Sequence, residues 1–218
     1  NGVAQLHTEL LKTGLVRDFY QMFPERFNSK TNGITPRRWL LKANPLLSEC
    51  ITATIGTEWI RDLHHIRSLE NHADDPAFRN RWGEIKRANK QRLAEFIKQS
   101  YGVALTADSV FDIHIKRIHE YKRQLLNVLN CIALSLEIKD GAWDGVGRTM
   151  IFGGKAAPGY TMAKLIIKFI NAVAEKVNTD PDIGGRLKIF FIPNYCVSLA
   201  ELLIPAADSF SIEITDPA

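Results

Sequence analysis

Lys116, Arg117, Lys122 and Arg123 place four cationic side chains within the eight-residue run Lys116-Arg117-Ile118-His119-Glu120-Tyr121-Lys122-Arg123. Arginine offers a planar bidentate fork to an oxyanion, and lysine a compact point charge. The run falls where an alternating apolar stretch ends and a helical pattern begins. In open α/β sheets ligands bind at the carboxyl ends of strands, and the free N–H groups of a helix start add positive potential. Phosphate binding is one reading of the cluster. The other is a solvated, charged first helical turn, although cations there oppose the helix dipole.

A second segment, Gly153-Gly154-Lys155-Ala156-Ala157-Pro158-Gly159-Tyr160, also follows an apolar strand-like run and opens a helix. It matches neither G-x-G-x-x-G nor G-x-x-x-x-G-K-[ST], which argues against a dinucleotide or P-loop nucleotide site. Its glycines either cradle a ligand or let one backbone pass close to another. Asn32, in Asn32-Gly33, could bind a sugar hydroxyl or simply form a turn. Trp39 reads as core or cleft wall. His64-His65 lacks the company of a metal site and reads as a solvated pair, and His7 and His114 read as structural. No metal site is expected, and neither G-x-S-x-G nor H-E-x-x-H occurs.

The elements that must position these groups follow from periodicity. Val110, Phe111, Ile113 and Ile115 predict a strand ending at Lys116. A helix over about 120–139 follows, its buried face expected to hold Leu125, Leu129, Ile132 and Leu136. Residues 149–152 predict a second strand and 187–192 a third. Between them runs a helix with Met162, Leu165, Ile166, Phe169, Ile170, Val173 and Val177 on its apolar positions, and residues 197–203 form a further short helix. This alternation predicts an α/β unit with the three strands as parallel neighbours. The first half reads as helical: residues 3–12, 16–23, a start near Pro36, then 45–55, 59–69, and a long helix from Asp75-Pro76 to about Tyr101.

The 218 residues carry 28 basic and 24 acidic side chains, a net +4 with no basic tract, so a nucleic-acid partner is not expected. No apolar run reaches the length of a membrane span. Cys50, Cys131 and Cys196 are few, odd in number and far apart, which suits a reducing, cytoplasmic compartment better than a disulfide framework.

Residues 30–39 (K-T-N-G-I-T-P-R-R-W), residues 116–124 (K-R-I-H-E-Y-K-R-Q), residues 153–160 and Pro205-Ala206-Ala207-Asp208 together resemble the α-1,4-glucan (glycogen/starch) phosphorylases, in the family's order. The resemblance runs from Asn1 to about Asp208. It implies part of a type-B glycosyltransferase fold: residues 1–38 closing an N-terminal domain, and residues 39–218 beginning a Rossmann-like C-terminal domain that binds pyridoxal 5′-phosphate. It implies cleavage of terminal glucosyl units of a glucan by inorganic phosphate, releasing glucose 1-phosphate, in a parent enzyme that is cytoplasmic, allosteric and homodimeric. Residue by residue, Lys116, Arg117 and Lys122 match the cations that hold cofactor and substrate phosphate. His119 and Tyr121 match residues lining the glucosyl pocket, and Asn32 one that bonds a glucose hydroxyl. Trp39 and Tyr195 match aromatics near the cofactor, and Tyr160 an aromatic of an inhibitor site.

One departure stands out. The family continues past P-A-A-D to a Gly-Thr-Gly-Asn-Met-Lys string bearing its Schiff-base lysine. Here residues 209–218 do not match it, and the string occurs nowhere in the chain. The expectation is a fragment, trimmed or altered by a frame change near Asp208, and inactive alone. The alternative is a natural non-enzymatic product that binds glucan or phosphorylase subunits. A nucleotide-sugar glycosyltransferase of the same fold is a third reading, disfavoured because nothing reads as a nucleoside pocket.

Overall fold

A computed structural model describes residues 1–31 and 33–212, with the side chains of 210–212 left out of the description. The chain divides into two compact units, Asn1–Thr35 and Pro36–Ile212. In the first, α1 (Gln5–Leu10) and α2 (Arg17–Met22) are joined by a wide helical turn over Leu11–Leu15. A parallel bridge between Gly2 and Ser29 closes the unit, and the Tyr20 and Phe27 rings meet edge to face at 5.3 Å.

The second unit begins with a wide helical turn over Arg37–Lys42 and then α3 (Pro45–Ile55). Asn44 caps α3 by accepting from the Leu47 N–H at 3.4 Å, with Pro45 at the first helical position, where its missing N–H costs nothing. A tight helical stretch over Leu63–His72 leads to α4 (Pro76–Tyr101). Asp75 caps α4, and Gly102 ends it in the left-handed conformation at φ 70°, which glycine adopts without a Cβ clash.

From there strands and helices alternate: β1 (Val110–Ile115), α5 (Gln124–Lys139), β2 (Arg148–Gly153), α6 (Thr161–Thr179), β3 (Leu187–Ile192), α7 (Val197–Ala206) and β4 (Ser209–Ile212). The sheet order is β3-β2-β1-β4 and every pairing is parallel. The three expected strands are parallel neighbours, as their spacing predicted. A fourth, unexpected one pairs Asp112–Ile115 with Ser209–Ile212. Connections run outward from β1 to β2 to β3, then return to the other side of β1. The gap between β1 and β4 is therefore the point where strand order reverses, the usual ligand crevice of such sheets.

Side-chain alternation splits the core into two layers. Met150, Phe152, Leu187 and Ile189 pack with Val128, Cys131, Ile166, Ile170 and Val173 of α5 and α6. Phe111, Ile113, Ile115, Ile151 and Ile192 face the other way, onto Leu93 and Ile97 of α4 and Leu199 and Leu203 of α7. With both faces covered, the strands need near-continuous apolar runs.

One expected helix face is corrected. Leu125, Leu129 and Leu136 of α5 are exposed, and its buried line is Gln124, Val128, Cys131, Ser135 and Ile138. Leucine and isoleucine occur almost all round this helix, so apolar spacing alone did not single out the packed face. On α6, Ile166, Ile170, Val173 and Val177 are buried as expected, whereas Met162 and Leu165 are exposed. No helix among the described residues is long and apolar enough to cross a membrane.

Candidate functional site

Because the strands are parallel, the segments after β1, β2 and β3 emerge on one side of the sheet. They enclose a cavity of about 590 Å³ lined by Arg117, Ile118 and His119, by residues 155–158 and Tyr160, and by Tyr195. Backbone hydrogen bonds tie the first two segments together. The Lys116 N–H donates to the Gly153 carbonyl at 3.1 Å, and the Ile118 N–H to the Lys155 carbonyl at 3.2 Å.

The paired glycines make this contact possible. An added Cβ on Gly154 would meet Ile118 Cδ1 at 2.7 Å and strike the Lys116 carbonyl oxygen. One on Gly153 would lie 2.8 Å from Ile192 Cγ2 and 2.9 Å from Ile115 Cγ2. Of the two roles open to these glycines, close backbone approach is the one the geometry displays.

Among the described residues two cations line the cavity, Arg117 and Lys155, and no carboxylate does. Among the described residues neither cation has a side-chain hydrogen bond or ion pair. Both are exposed, and the 19-residue α6 begins directly after Tyr160 on the cavity wall, adding free N–H groups and positive dipole potential. Lys155 was not among the site residues drawn from sequence.

The aromatic groups form a connected row. The His119 ring lies 4.3 Å from Tyr121 and 5.0 Å from Tyr160, and Lys122 Nζ stands 5.0 Å from the Tyr121 ring centroid. The Tyr160 hydroxyl donates to Glu120 Oε2 at 2.5 Å, and that hydrogen bond to a carboxylate raises the phenol pKa. Burial raises the pKa of Tyr195, and the neighbouring Cys196 adds to the shift. Cys196 itself, exposed at the start of α7, has a lowered pKa. The Ser198 hydroxyl 3.1 Å away is the chief cause, with help from the Leu199 and Ser198 N–H groups and the Lys155 charge.

Of the residues singled out in the sequence, Arg117, His119, Tyr160 and Tyr195 share this cavity, with the Tyr121 ring tilted against His119. Lys116 is half-buried at the end of β1, and Lys122 is buried beneath Tyr121; neither is on the cavity wall. Trp39 lines a separate cavity of about 210 Å³ with Lys86, Asn89, Ile204 and Pro205, toward the end of α7 that leads into β4. Asn32 lies outside the described residues. Among the described residues no cluster of histidine, cysteine and carboxylate groups could hold a metal ion.

The carbohydrate phosphorylase family model matches residues 1–215. The chain belongs to the carbohydrate phosphorylase family. It is 53% identical over 209 residues to glycogen phosphorylase 2 of Dictyostelium discoideum, covering 95% of this chain and 21% of that protein. It is 51% identical to glycogen phosphorylase of Synechocystis, and 51% identical to the muscle form of Oryctolagus cuniculus, in each case over 95% of this chain and 25% of the relative. The chain thus spans about a quarter of the length of the phosphorylases it matches. The α/β fold with its parallel sheet fits a phosphorylase fragment of glycosyltransferase type.

Proposed function

We propose that this chain is the part of an α-glucan phosphorylase that carries the phosphate-binding loop after β1. The parent enzyme splits terminal α-1,4-glucosyl linkages with inorganic phosphate. The observation that carries the reading is the cavity at the strand ends, walled by Arg117 and Lys155 with no carboxylate among the described residues. In such a site a phosphate oxygen bonds to glucosyl C1 as the C1–O4 bond breaks, and the phosphate proton passes to the departing O4. The products are glucose 1-phosphate and a glucan shortened by one unit.

Arg117 would hold phosphate through its bidentate fork and stabilise charge where the bond order changes. Lys155 would add a second positive charge from the β2 loop. His119 and Tyr121, their rings in tilted contact, would form a wall for the glucosyl ring.

The family's cofactor, pyridoxal phosphate, supplies through its 5′-phosphate a proton relay and an electrostatic partner for substrate phosphate. Arg117, Lys155 and half-buried Tyr195 suit the phosphate end of such a group. By the family resemblance we assign Trp39, Lys116 and Tyr195 to holding it, Lys116 and Lys122 with Arg117 to the catalytic cations, Asn32 to a glucose hydroxyl and Tyr160 to the inhibitor site. We place the end of the N-terminal domain at residue 38 and the start of the cofactor-binding domain at 39, in a cytoplasmic parent. The isolated chain, lacking the Gly-Thr-Gly-Asn-Met-Lys string, is inactive.

The test is made in the full-length parent. Arg117→Ala should lower turnover about 100- to 1,000-fold, the usual cost of one preorganised donor, while Arg79→Ala leaves it unchanged. Equal effects of the two substitutions would remove the assignment.

A further inference from the structure

Arg117 lies on a loop past the last ladder position of β1. One buried side chain holds the backbone of that loop. Gln124, the first residue of α5, is 1% exposed. Its Nε2 donates to the Arg117 carbonyl at 3.0 Å, and its Oε1 accepts from the His119 N–H at 3.3 Å. The two bonds bracket Ile118, whose side chain is buried in the core and whose N–H donates to the Lys155 carbonyl. Arg123, just before Gln124, sits at φ 62°, a left-handed conformation unfavourable for a residue with a Cβ. The chain holds that strained turn at the point where Gln124 enters the helix.

We infer that Gln124 is the positioning residue of the oxyanion site. Its amide touches no ligand. It fixes the peptide units on either side of Ile118, and so the backbone from which Arg117 and His119 reach the cavity. With both amide ends engaged, the loop has little freedom, and the Arg117 guanidinium is brought to the cavity wall by rotamer choice alone. This rests on the reading of the cavity as an oxyanion site.

The experiment is a double-mutant cycle on the 218-residue chain, read as the dissociation constant for inorganic sulfate, which keeps one charge state across working pH. Wild type should bind sulfate saturably, and Arg117→Ala should weaken that binding to a residual constant still measurable at high sulfate. Gln124→Met, of similar volume with no amide, should weaken sulfate about tenfold, well below its own unfolding temperature. It should also speed hydrogen exchange at the His119 amide. Because Gln124 acts through Arg117, the double variant should bind no worse than Arg117→Ala alone. If Gln124→Met does not fold, Gln124→Asn serves in the same cycle, since it keeps a neutral amide but withdraws it by one methylene from the Arg117 carbonyl and the His119 N–H. Failure of wild type to bind sulfate overturns the oxyanion reading and this inference together. Sulfate binding that depends on Arg117 but is unmoved by Gln124, or additive losses in the double variant, overturns the positioning role alone.

Discussion

Gly154→Ala puts the joining of the two loops to a quantitative test. The new methyl would sit 2.7 Å from Ile118 Cδ1 and 3.2 Å from its Cγ1, and would overlap the Lys116 carbonyl oxygen. Ile118 is fully packed and a backbone oxygen cannot rotate aside, so relief requires the loops to separate. That strains the bonds from Lys116 to Gly153 and from Ile118 to Lys155. Overpacking of this kind costs about 1–3 kcal/mol, and each weakened hydrogen bond about 1 kcal/mol. Against this, replacing glycine by alanine restricts the unfolded chain and returns about 0.4–1 kcal/mol. The net expectation is a loss of about 3 kcal/mol, read as a lower urea midpoint at constant slope. Gly159→Ala is the internal control, because nothing lies within 4 Å of its added Cβ. If the two variants agree within about 0.5 kcal/mol, the ordinary scatter of surface changes, the claim that Gly154 exists for close backbone approach is refuted.

Three further outcomes are expected. Lys90 is buried, donating to the Ser109 carbonyl at 2.6 Å and to Asp208 Oδ2 at 2.7 Å, and the same oxygen accepts from the Phe111 N–H at 2.8 Å. Lys90→Met should therefore cost about 2–3 kcal/mol in denaturant melts by leaving that carboxylate short of a partner, and an unchanged midpoint would contradict it. Cys196 should react first with iodoacetamide, its rate rising at a pH below that of a free thiol, while Cys131, buried and pushed up to about 12, stays unmodified. Because the folded pKa of Cys196 is depressed, its thiolate contributes stability above the unfolded thiol's value of about 8.5 and loses it as pH falls through the folded value. Ser198→Ala should shift the reactivity midpoint upward, and an unmoved midpoint would remove the hydroxyl as the cause. Finally, the purified chain given glucan, phosphate and pyridoxal phosphate should release no glucose 1-phosphate; release would show that the missing lysine string is dispensable.

β1, β2 and β3 were legible because sheets covered on both faces need near-continuous apolar strands, and these runs are bounded by glycine and polar turns. β4 was not. Ser209-Phe210-Ser211-Ile212 alternates as a strand should, but four residues before an unmatched polar stretch read as a tail. Position in the sheet comes from pairing with Asp112–Ile115, which is a long-range property. The packed line of α5 was hidden for the opposite reason, an excess of apolar residues; the polar Gln124 and Ser135 lie on it instead.

At the site, Arg117 stood out through charge density and strand-end placement. Lys155 was obscured because its segment drew attention for its glycines. Its signal was present, a cation just past the end of β2, as Arg117 is just past the end of β1. Gln124 carried no local signal, since its role depends on where the Arg117 carbonyl and His119 N–H fall once the turn at Arg123 has formed.

In the function proposed above, the cavity after β1, β2 and β3 captures an oxyanion between Arg117 and Lys155. The most direct measurement is a crystal of the chain soaked in tungstate, a tetrahedral oxyanion whose scattering marks its own position. A tungstate peak is expected within hydrogen-bonding reach of the Arg117 guanidinium and Lys155 Nζ, and none in crystals of Arg117→Ala. A vacant cavity in wild-type crystals that hold tungstate elsewhere, or a peak there that persists without Arg117, would contradict it.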